Sequence, residues 1–217
     1  MVNRNIGLIE YSKKVDMGNC ITHAVAAVLS VPALVMLVLK AEGLRSVASA
    51  VIFGLSMLAV YSVSAVYHGL TDKKKKEIAR LVDHSTVPVL IAGTATPCAL
   101  MTLYEISTAH AVFVLFLGWF SALFGLVAKL FFFEKTRKVT VAVYIVSCAL
   151  MVGCAVPLLG QIDTHAFGEI IFGNALYLVG ALFCLIGRKR PVMHVIFHIF
   201  VVLAGAVHYF AIYRFVI

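Results

Sequence analysis

Residues 20–39 read CITHAVAAVLSVPALVMLVL, a run of twenty residues in which His23 is the only ionisable side chain apart from the Cys20 thiol. A helix of about 20 apolar residues is long enough to cross the hydrocarbon core of a bilayer. The run therefore predicts a transmembrane helix. Six further apolar runs follow it, and the short breaks between them contain nearly all of the charged residues, at 46–69, 82–103, 109–128, 139–160, 169–187 and 192–213. The pattern predicts an all-α integral membrane protein, with a single domain over residues 1–217 built as a seven-transmembrane helix bundle.

The composition of the whole chain agrees with this fold class. Of the 217 residues, 62% are hydrophobic and 13% are charged, and the mean hydropathy is +1.02. Soluble domains are about 45–50% apolar and about 25% charged. These values exclude a soluble enzyme, a disordered chain and a nucleic-acid-binding domain, although the net charge is +8. The five cysteines lie inside the apolar runs without a CxxC pair, which is typical of buried thiols.

The placement of the basic residues predicts the orientation of the helices. Fifteen of the 18 Lys and Arg residues, Arg4 among them, lie in the N-terminal segment or in the second, fourth and sixth breaks. Only Lys40, Arg45 and Arg214 lie at the opposite ends of the spans. Because loops rich in Lys and Arg stay in the cytoplasm, we expect a cytoplasmic N-terminus and a C-terminus outside. The cluster Lys73–Lys76 is either a plain topology determinant or also a contact for anionic lipid headgroups.

Polar residues of three spans are expected at one depth of this bundle. Six of the eight histidines lie in or at the ends of spans, and Asp83 is the only acidic residue inside one, apart from Glu169 at the first position of the sixth span. Ionisable groups in a membrane are costly and mark functional sites. With the predicted orientation, the end of span 2 and the starts of spans 3 and 7 share the inner leaflet. The residues that they bring to this depth are Ser64, His68, Asp83, His194 and His198.

These five residues have the chemistry of a zinc site. His194 and His198 are four residues apart in HVIFH, so both lie on one helix face, and His68 supplies a third imidazole. Catalytic zinc takes three such ligands and keeps its fourth position for water. Asp83 would then act as acid or base, and Ser64 would bond the water or a substrate carbonyl. Alternatively, the histidines bond to one another or to neighbouring helices. The same imidazoles also suit iron or cobalt in place of zinc.

Three other histidines have separate predictions. His23, placed in the first turn of span 1, either supports the metal site from behind a ligand or caps the helix at the interface, and we favour the cap. His84 is expected to hydrogen-bond to a neighbouring helix rather than to bind the metal. His208 lies fourteen residues after His194, about 21 Å deeper by helical rise, and is expected to bond across helices in the outer half.

Four segments carry a resemblance to a known family: NCITH at 19–23, SAVYH at 64–68, DHS at 83–85 with AGTATP at 92–97, and HVIFHIFVVLAGAVHY at 194–209. On these motifs the chain resembles haemolysin III-type proteins, the bacterial branch of the progestin and adipoQ receptor (adiponectin receptor-like) family, whose superfamily includes alkaline ceramidases. The resemblance implies one Zn²⁺ per chain held by His68, His194 and His198, with Ser64 and Asp83 beside it. It also implies a bacterial cytoplasmic (inner) membrane location.

Two functions of different classes follow. The first is a zinc-dependent intramembrane hydrolase that cleaves a lipid amide or ester near the inner leaflet, as the relationship to ceramidases implies. The second is a non-catalytic protein in which zinc is structural, either a sensor for membrane homeostasis or a haemolysin-like pore-forming protein. Membrane lipids are the expected partners in both cases and nucleic acid in neither, and the oligomeric state is left open.

Overall fold

The computed structural model of the protein describes residues 11–217. Within that range it contains no β-strand, and seven of its helices are long and apolar enough to cross a membrane. They are α1 Lys13–Lys40, α2 Gly43–Gly69, α3 Lys73–Ile106, α4 Thr108–Phe133, α5 Lys138–Leu158, α6 Thr164–Gly187 and α7 Val192–Val216. The predicted fold class, an all-α membrane protein of seven helices, is confirmed for the described part of the chain. Arg4, which entered the charge count, lies outside the described residues.

The first and third helices begin earlier than their apolar runs. α1 begins at Lys13 rather than at residue 20, and α3 at Lys73 rather than at residue 82. Each start is capped, because Ser12 and Asp72 accept hydrogen bonds from the backbone N–H three residues on, at 3.4 Å and 2.9 Å. Capping side chains and lysines both favour helix outside the hydrocarbon. The charged residues that precede the two apolar runs are therefore helical.

The break between α4 and α5 also differs from the expected loop at 129–138. The helical backbone continues from Thr108 to Ala155, with a kink at a single non-helical residue, Phe132 (φ −139°, ψ 42°). Residues 129–138 contain no Gly or Pro, the two residues least compatible with a helix interior. Nothing in the local sequence therefore ends the helix, and one residue outside the helical conformation joins the two spans.

α2, α3 and α7 are the most buried of the seven helices. α1 packs along α2 and α7, α3 along α2, and α6 along α7. The main cluster of buried apolar side chains joins α1, α2, α3 and α7 through residues such as Leu37, Phe53, Leu90 and Ile212. A second cluster joins the far half of α3 to α4 and α5. The helices that carry the predicted ligands are thus in the tightly packed centre of the molecule.

Candidate metal centre

Three histidines from two helices converge where α2 ends and α7 begins. His68 is the penultimate residue of α2, and His194 and His198 occupy the first two turns of α7. Each offers a ring nitrogen, and these three nitrogens all lie within 4.8 Å of one another. The ring centroids are 4.8 Å apart for His194 and His198, 4.9 Å for His68 and His198, and 5.5 Å for His68 and His194. The three side chains could hold a metal ion.

Two of the three histidines have a buried ring nitrogen that lacks a partner. Among the described residues, Nε2 of His68 and Nε2 of His198 have no hydrogen-bond partner, while Nδ1 of each ring is bonded elsewhere. A buried polar atom without a partner is costly, and a metal ion would use both lone pairs. Zinc binds imidazole nitrogens, and three of them are the protein ligands of many zinc sites. The donor set therefore fits zinc, and it also suits other metals that bind imidazole.

His68 is held from behind by α1. Its Nδ1 lies 2.9 Å from Oδ1 of Asp16 and 3.3 Å from Nδ2 of Asn19. The other carboxylate oxygen of Asp16 accepts a hydrogen bond from Nζ of Lys76, in the first turn of α3, at 2.6 Å. One carboxylate thus joins α1, α2 and α3 at the edge of the histidine cluster.

His198 is held by a fourth histidine. Its Nδ1 lies 2.9 Å from Nε2 of His23, the ring centroids are 4.0 Å apart, and both side chains are almost fully buried. When Nε2 of His198 presents its lone pair to a metal, Nδ1 carries the hydrogen and donates a hydrogen bond to Nε2 of His23. The prediction that His23 caps α1 is wrong, because the helix begins ten residues earlier, at Lys13. His23 instead lies behind a candidate ligand.

His194 is the least buried of the three candidate ligands, and an aromatic ring covers it. The rings of Tyr11 and His194 stack with centroids 5.1 Å apart and planes 18° from parallel. Tyr11 precedes α1, and burial raises the pKa of its phenol above the ordinary value. The phenol is therefore neutral, and its ring covers the His194 side of the cluster.

Asp83 lies deeper in its helix than the apolar run implied. Because α3 begins at Lys73, Asp83 is in the third turn rather than the first. Its Oδ2 lies 3.2 Å from Nδ1 of His84. The prediction that His84 bonds to a neighbouring helix is wrong, because its polar contact is with the adjacent Asp83, while its ring packs 5.5 Å from that of Phe133.

Ser64 and His208 lie at different distances from the cluster. Ser64 is buried on α2, one turn before His68 and on the same helix face. His208 is on α7, ten residues beyond His198, and its Nε2 donates to the carbonyl oxygen of Ile170 on α6 at 3.1 Å. The predicted cross-helix bond of His208 is confirmed, and it places this histidine outside the metal centre.

Four residues beside the histidine cluster were not predicted from the sequence: Asp16, Asn19, Lys76 and Tyr11. The signal for two of them was present, because residues 16, 19 and 23 have the i, i+3, i+7 spacing of one helix face. An apolar run that starts at residue 20 hides this spacing. Lys76 carries no such signal, since its role depends on where α3 begins.

Comparison with known proteins agrees with the motifs. The profile of the family described as Haemolysin-III related matches residues 11–209. The chain is 36% identical to the Hemolysin-3 homolog of Bacillus subtilis (strain 168) over 205 residues, covering 93% of this chain and 94% of that protein. It is 34% identical over 208 residues to Hemolysin-3 of Bacillus cereus, covering 94% and 93%. It is also 25% identical over 202 residues, covering 91% and 82%, to the human Monocyte to macrophage differentiation factor, a member of the progestin and adipoQ receptor family. The chain belongs to the haemolysin III-related family of integral membrane proteins.

Proposed function

We propose that the protein is a zinc-dependent intramembrane hydrolase that cleaves an amide or ester bond of a membrane lipid. The observation that carries this proposal is the convergence of His68, His194 and His198 with two buried, unpartnered Nε2 atoms. Buried imidazoles inside a membrane bundle need a partner, and a metal ion satisfies several at once. The Bacillus relatives support the bacterial cytoplasmic membrane as the location. With the orientation that the positive-inside rule predicts, the candidate metal centre would lie at the inner leaflet.

The residues around the histidines have the roles that such a hydrolysis requires. One bound zinc per chain would supply a polarised substrate carbonyl and a water of lowered pKa. The Asp83 carboxylate would accept a proton from the attacking water and return it to the leaving amine or alcohol. His84, 3.2 Å from that carboxylate, would keep it oriented. The Ser64 hydroxyl would donate a hydrogen bond to the carbonyl oxygen as negative charge develops on it.

A groove between α2 and α3 supports a lipid as the substrate. Its volume is about 260 Å³, and its lining is almost entirely apolar. Val66 and Val82 in this lining are exposed side chains, and Val66 lies about 200° around α2 from the buried His68. An acyl chain in the groove would therefore lie on the lipid-facing side of α2 and α3.

The first test is the metal content of the purified protein, measured by elemental mass spectrometry after detergent extraction without chelators. We expect about one zinc per chain in the wild type, by analogy with other three-histidine sites. His68→Ala and the double variant His194→Ala, His198→Ala should lose it. His208→Ala is the matched control, because it removes an equally buried histidine that bonds to Ile170, and it should keep its zinc. A folded wild type without metal would contradict the proposal.

The second test is hydrolysis of lipid amides and esters by the metal-loaded protein. Asp83→Asn keeps the size of the side chain but removes the acid–base group, so we expect zinc to stay bound and hydrolysis to fall by about 10²–10⁴-fold. Full activity after zinc removal would rule out a metal-dependent reaction.

A non-catalytic role is the second candidate, in which the metal ties α2 to α7 in a membrane-state sensor or a haemolysin-like pore-forming protein. Two observations favour it: the nearly complete burial of His68 and His198, and the name Hemolysin-3 of the Bacillus cereus relative. This role predicts zinc-dependent stability without hydrolysis. Its pore-forming version further predicts dye release from liposomes by the wild type and none by a folded variant without zinc.

A further inference from the structure

The contacts of His68 on the side away from the cluster determine which of its two ring nitrogens is free to face a metal. A neutral imidazole has one N–H and one lone pair, and only the form with hydrogen on Nδ1 leaves Nε2 free to bind. Two side chains of α1 compete for Nδ1, the Asp16 carboxylate at 2.9 Å and the Asn19 amide nitrogen at 3.3 Å. The first accepts a proton and the second donates one, so they favour opposite forms of the ring.

The geometry favours the carboxylate. Its contact with Nδ1 is the shorter of the two, and an ionised acceptor forms the stronger hydrogen bond. Asp16 accepts with Oδ1 from the ring and with Oδ2 from Lys76, whose Nζ lies 2.6 Å away. The lysine compensates the charge of a carboxylate that is only 17% exposed. Because Lys76 bonds to Oδ2 of Asp16, Oδ1 of the same carboxylate stays directed at His68.

We infer that Asp16, supported by Lys76, is a positioning residue that holds the His68 ring with hydrogen on Nδ1 and Nε2 toward the cluster, and thereby sets the metal affinity of the centre. This inference rests on the proposed metal site. A carboxylate behind a histidine ligand orients the ring and raises its basicity, and its loss typically weakens metal binding by about 10–100-fold. Without the carboxylate, the Asn19 amide would donate to Nδ1 and move the ring proton to Nε2, where it blocks coordination.

The experiment measures zinc affinity by competition with a chromogenic chelator in detergent, beside the thermal unfolding of the metal-free protein. We expect Asp16→Asn to bind zinc about 10–100-fold more weakly than the wild type. Asp16→Glu, which keeps the acceptor on a longer side chain, should recover part of that loss. Glu105→Gln is the matched control, because it breaks an ion pair with Arg45 (2.8 Å) near the other ends of α2 and α3 and should leave affinity unchanged.

Lys76→Met separates positioning from a structural link between α1 and α3. It breaks the same link as Asp16→Asn but leaves the acceptor beside His68, so we expect a smaller loss of zinc affinity. Equal losses in both variants, matched by equal drops in metal-free unfolding temperature, would overturn the inference in favour of a structural link. Wild-type affinity in Asp16→Asn would overturn it while the metal site survives. A wild type that binds no zinc would overturn the metal site as well.

Discussion

Two buried tyrosine hydroxyls in the bundle have surroundings that a single substitution can test. Within residues 11–217, the hydroxyls of Tyr61 and Tyr177 are buried and have no hydrogen-bond partner. Both lie beside Gly205, where an added Cβ would be 2.0 Å from the Tyr61 oxygen and 3.6 Å from the Tyr177 oxygen. Two hydroxyls this close, inside a membrane protein, can share one bridging water. The sign of a stability change distinguishes a bridged pair from a dry one.

For a pair bridged by water, we expect Tyr61→Phe to lower the free energy of unfolding by about 1 kcal/mol, because it would remove one of the hydrogen bonds of that water. Thermal unfolding in detergent measures the change. Tyr104→Phe is the control, since Tyr104 is 42% exposed and its hydroxyl can bond to solvent. A rise in unfolding temperature for Tyr61→Phe would mean that the wild-type hydroxyl is dry and unpaired, because its removal would then relieve a cost.

The ligands of the candidate centre could be proposed from sequence, and the residues behind them could not. The sequence shows the four-residue spacing of His194 and His198, and it predicts the depth of His68 from its position in a span. Asp16 was not proposed, because it precedes the apolar run that begins at residue 20. Its role comes from a helix that starts at Lys13, outside the hydrocarbon, where hydropathy carries no information.

Helix pairs pack closely where glycine meets a large side chain, and α6 against α7 is the clearest case. An added Cβ at Gly173 would lie 2.2 Å from the His208 ring, and one at Gly180 would lie 3.1 Å from Cβ of Phe200. Small residues let transmembrane helices approach in this way. The cross-helix bond from His208 to Ile170 depends on that approach.

Gly173→Ala should destabilise the protein by about 1–3 kcal/mol, because the new methyl group displaces the His208 ring from its hydrogen bond. Gly168→Ala is the control on the same helix. Nothing lies within 4 Å of its added Cβ, so that variant should be neutral or gain up to about 1 kcal/mol of helix propensity. Thermal unfolding of the two variants in the same detergent tests both. An unchanged unfolding temperature in Gly173→Ala would mean that α6 and α7 can separate there without cost.

The groove between α2 and α3 provides a test at the scale of two helices. Ala79→Phe would fill the groove, and we expect lipid hydrolysis to fall by about tenfold or more because the acyl chain of the substrate is displaced from it. Zinc content should not change. Ala109→Phe is the matched control, since it fills a second groove, lined also by His110, Phe113 and Cys154, that contains none of the proposed site residues. Equal activity in both variants would show that the substrate does not use the α2–α3 groove.

The element boundaries show what hydropathy can and cannot predict. It predicted the number of membrane-spanning helices in the described chain, because each must supply enough apolar length to cross a bilayer. It placed the starts of α1 and α3 too late and expected a loop at the Phe132 kink. The early helix starts depend on capping residues outside the hydrocarbon. The kink depends on the backbone conformation of a single residue.

The charge distribution of the whole molecule explains why orientation can be argued from so few residues. At one set of helix ends, the only basic residues are Lys40, Arg45 and Arg214. Each has a partner: Arg45 pairs with Glu105 at 2.8 Å, Arg214 approaches Glu169 at 3.8 Å, and Lys40 donates to the carbonyl oxygen of Tyr213. At the opposite ends, many basic side chains are exposed, among them Lys13, Lys14, Lys73–Lys75, Lys135, Lys138 and Arg188–Arg190. A cluster of exposed positive charge is costly to translocate, so this face and the histidine cluster beside it should be cytoplasmic.

Cysteine labelling tests this orientation in intact bacteria. In a background whose five native cysteines are replaced, Glu42→Cys introduces a thiol between α1 and α2, and Lys74→Cys introduces one at the start of α3, both at exposed positions. A membrane-impermeant maleimide should label Glu42→Cys in intact cells and Lys74→Cys only after permeabilisation, because the basic face is inside. The reverse pattern would invert the molecule and put the candidate metal centre at the outer leaflet. A hydrolase there would act on a different pool of lipid, so the labelling result determines which leaflet a substrate screen should use.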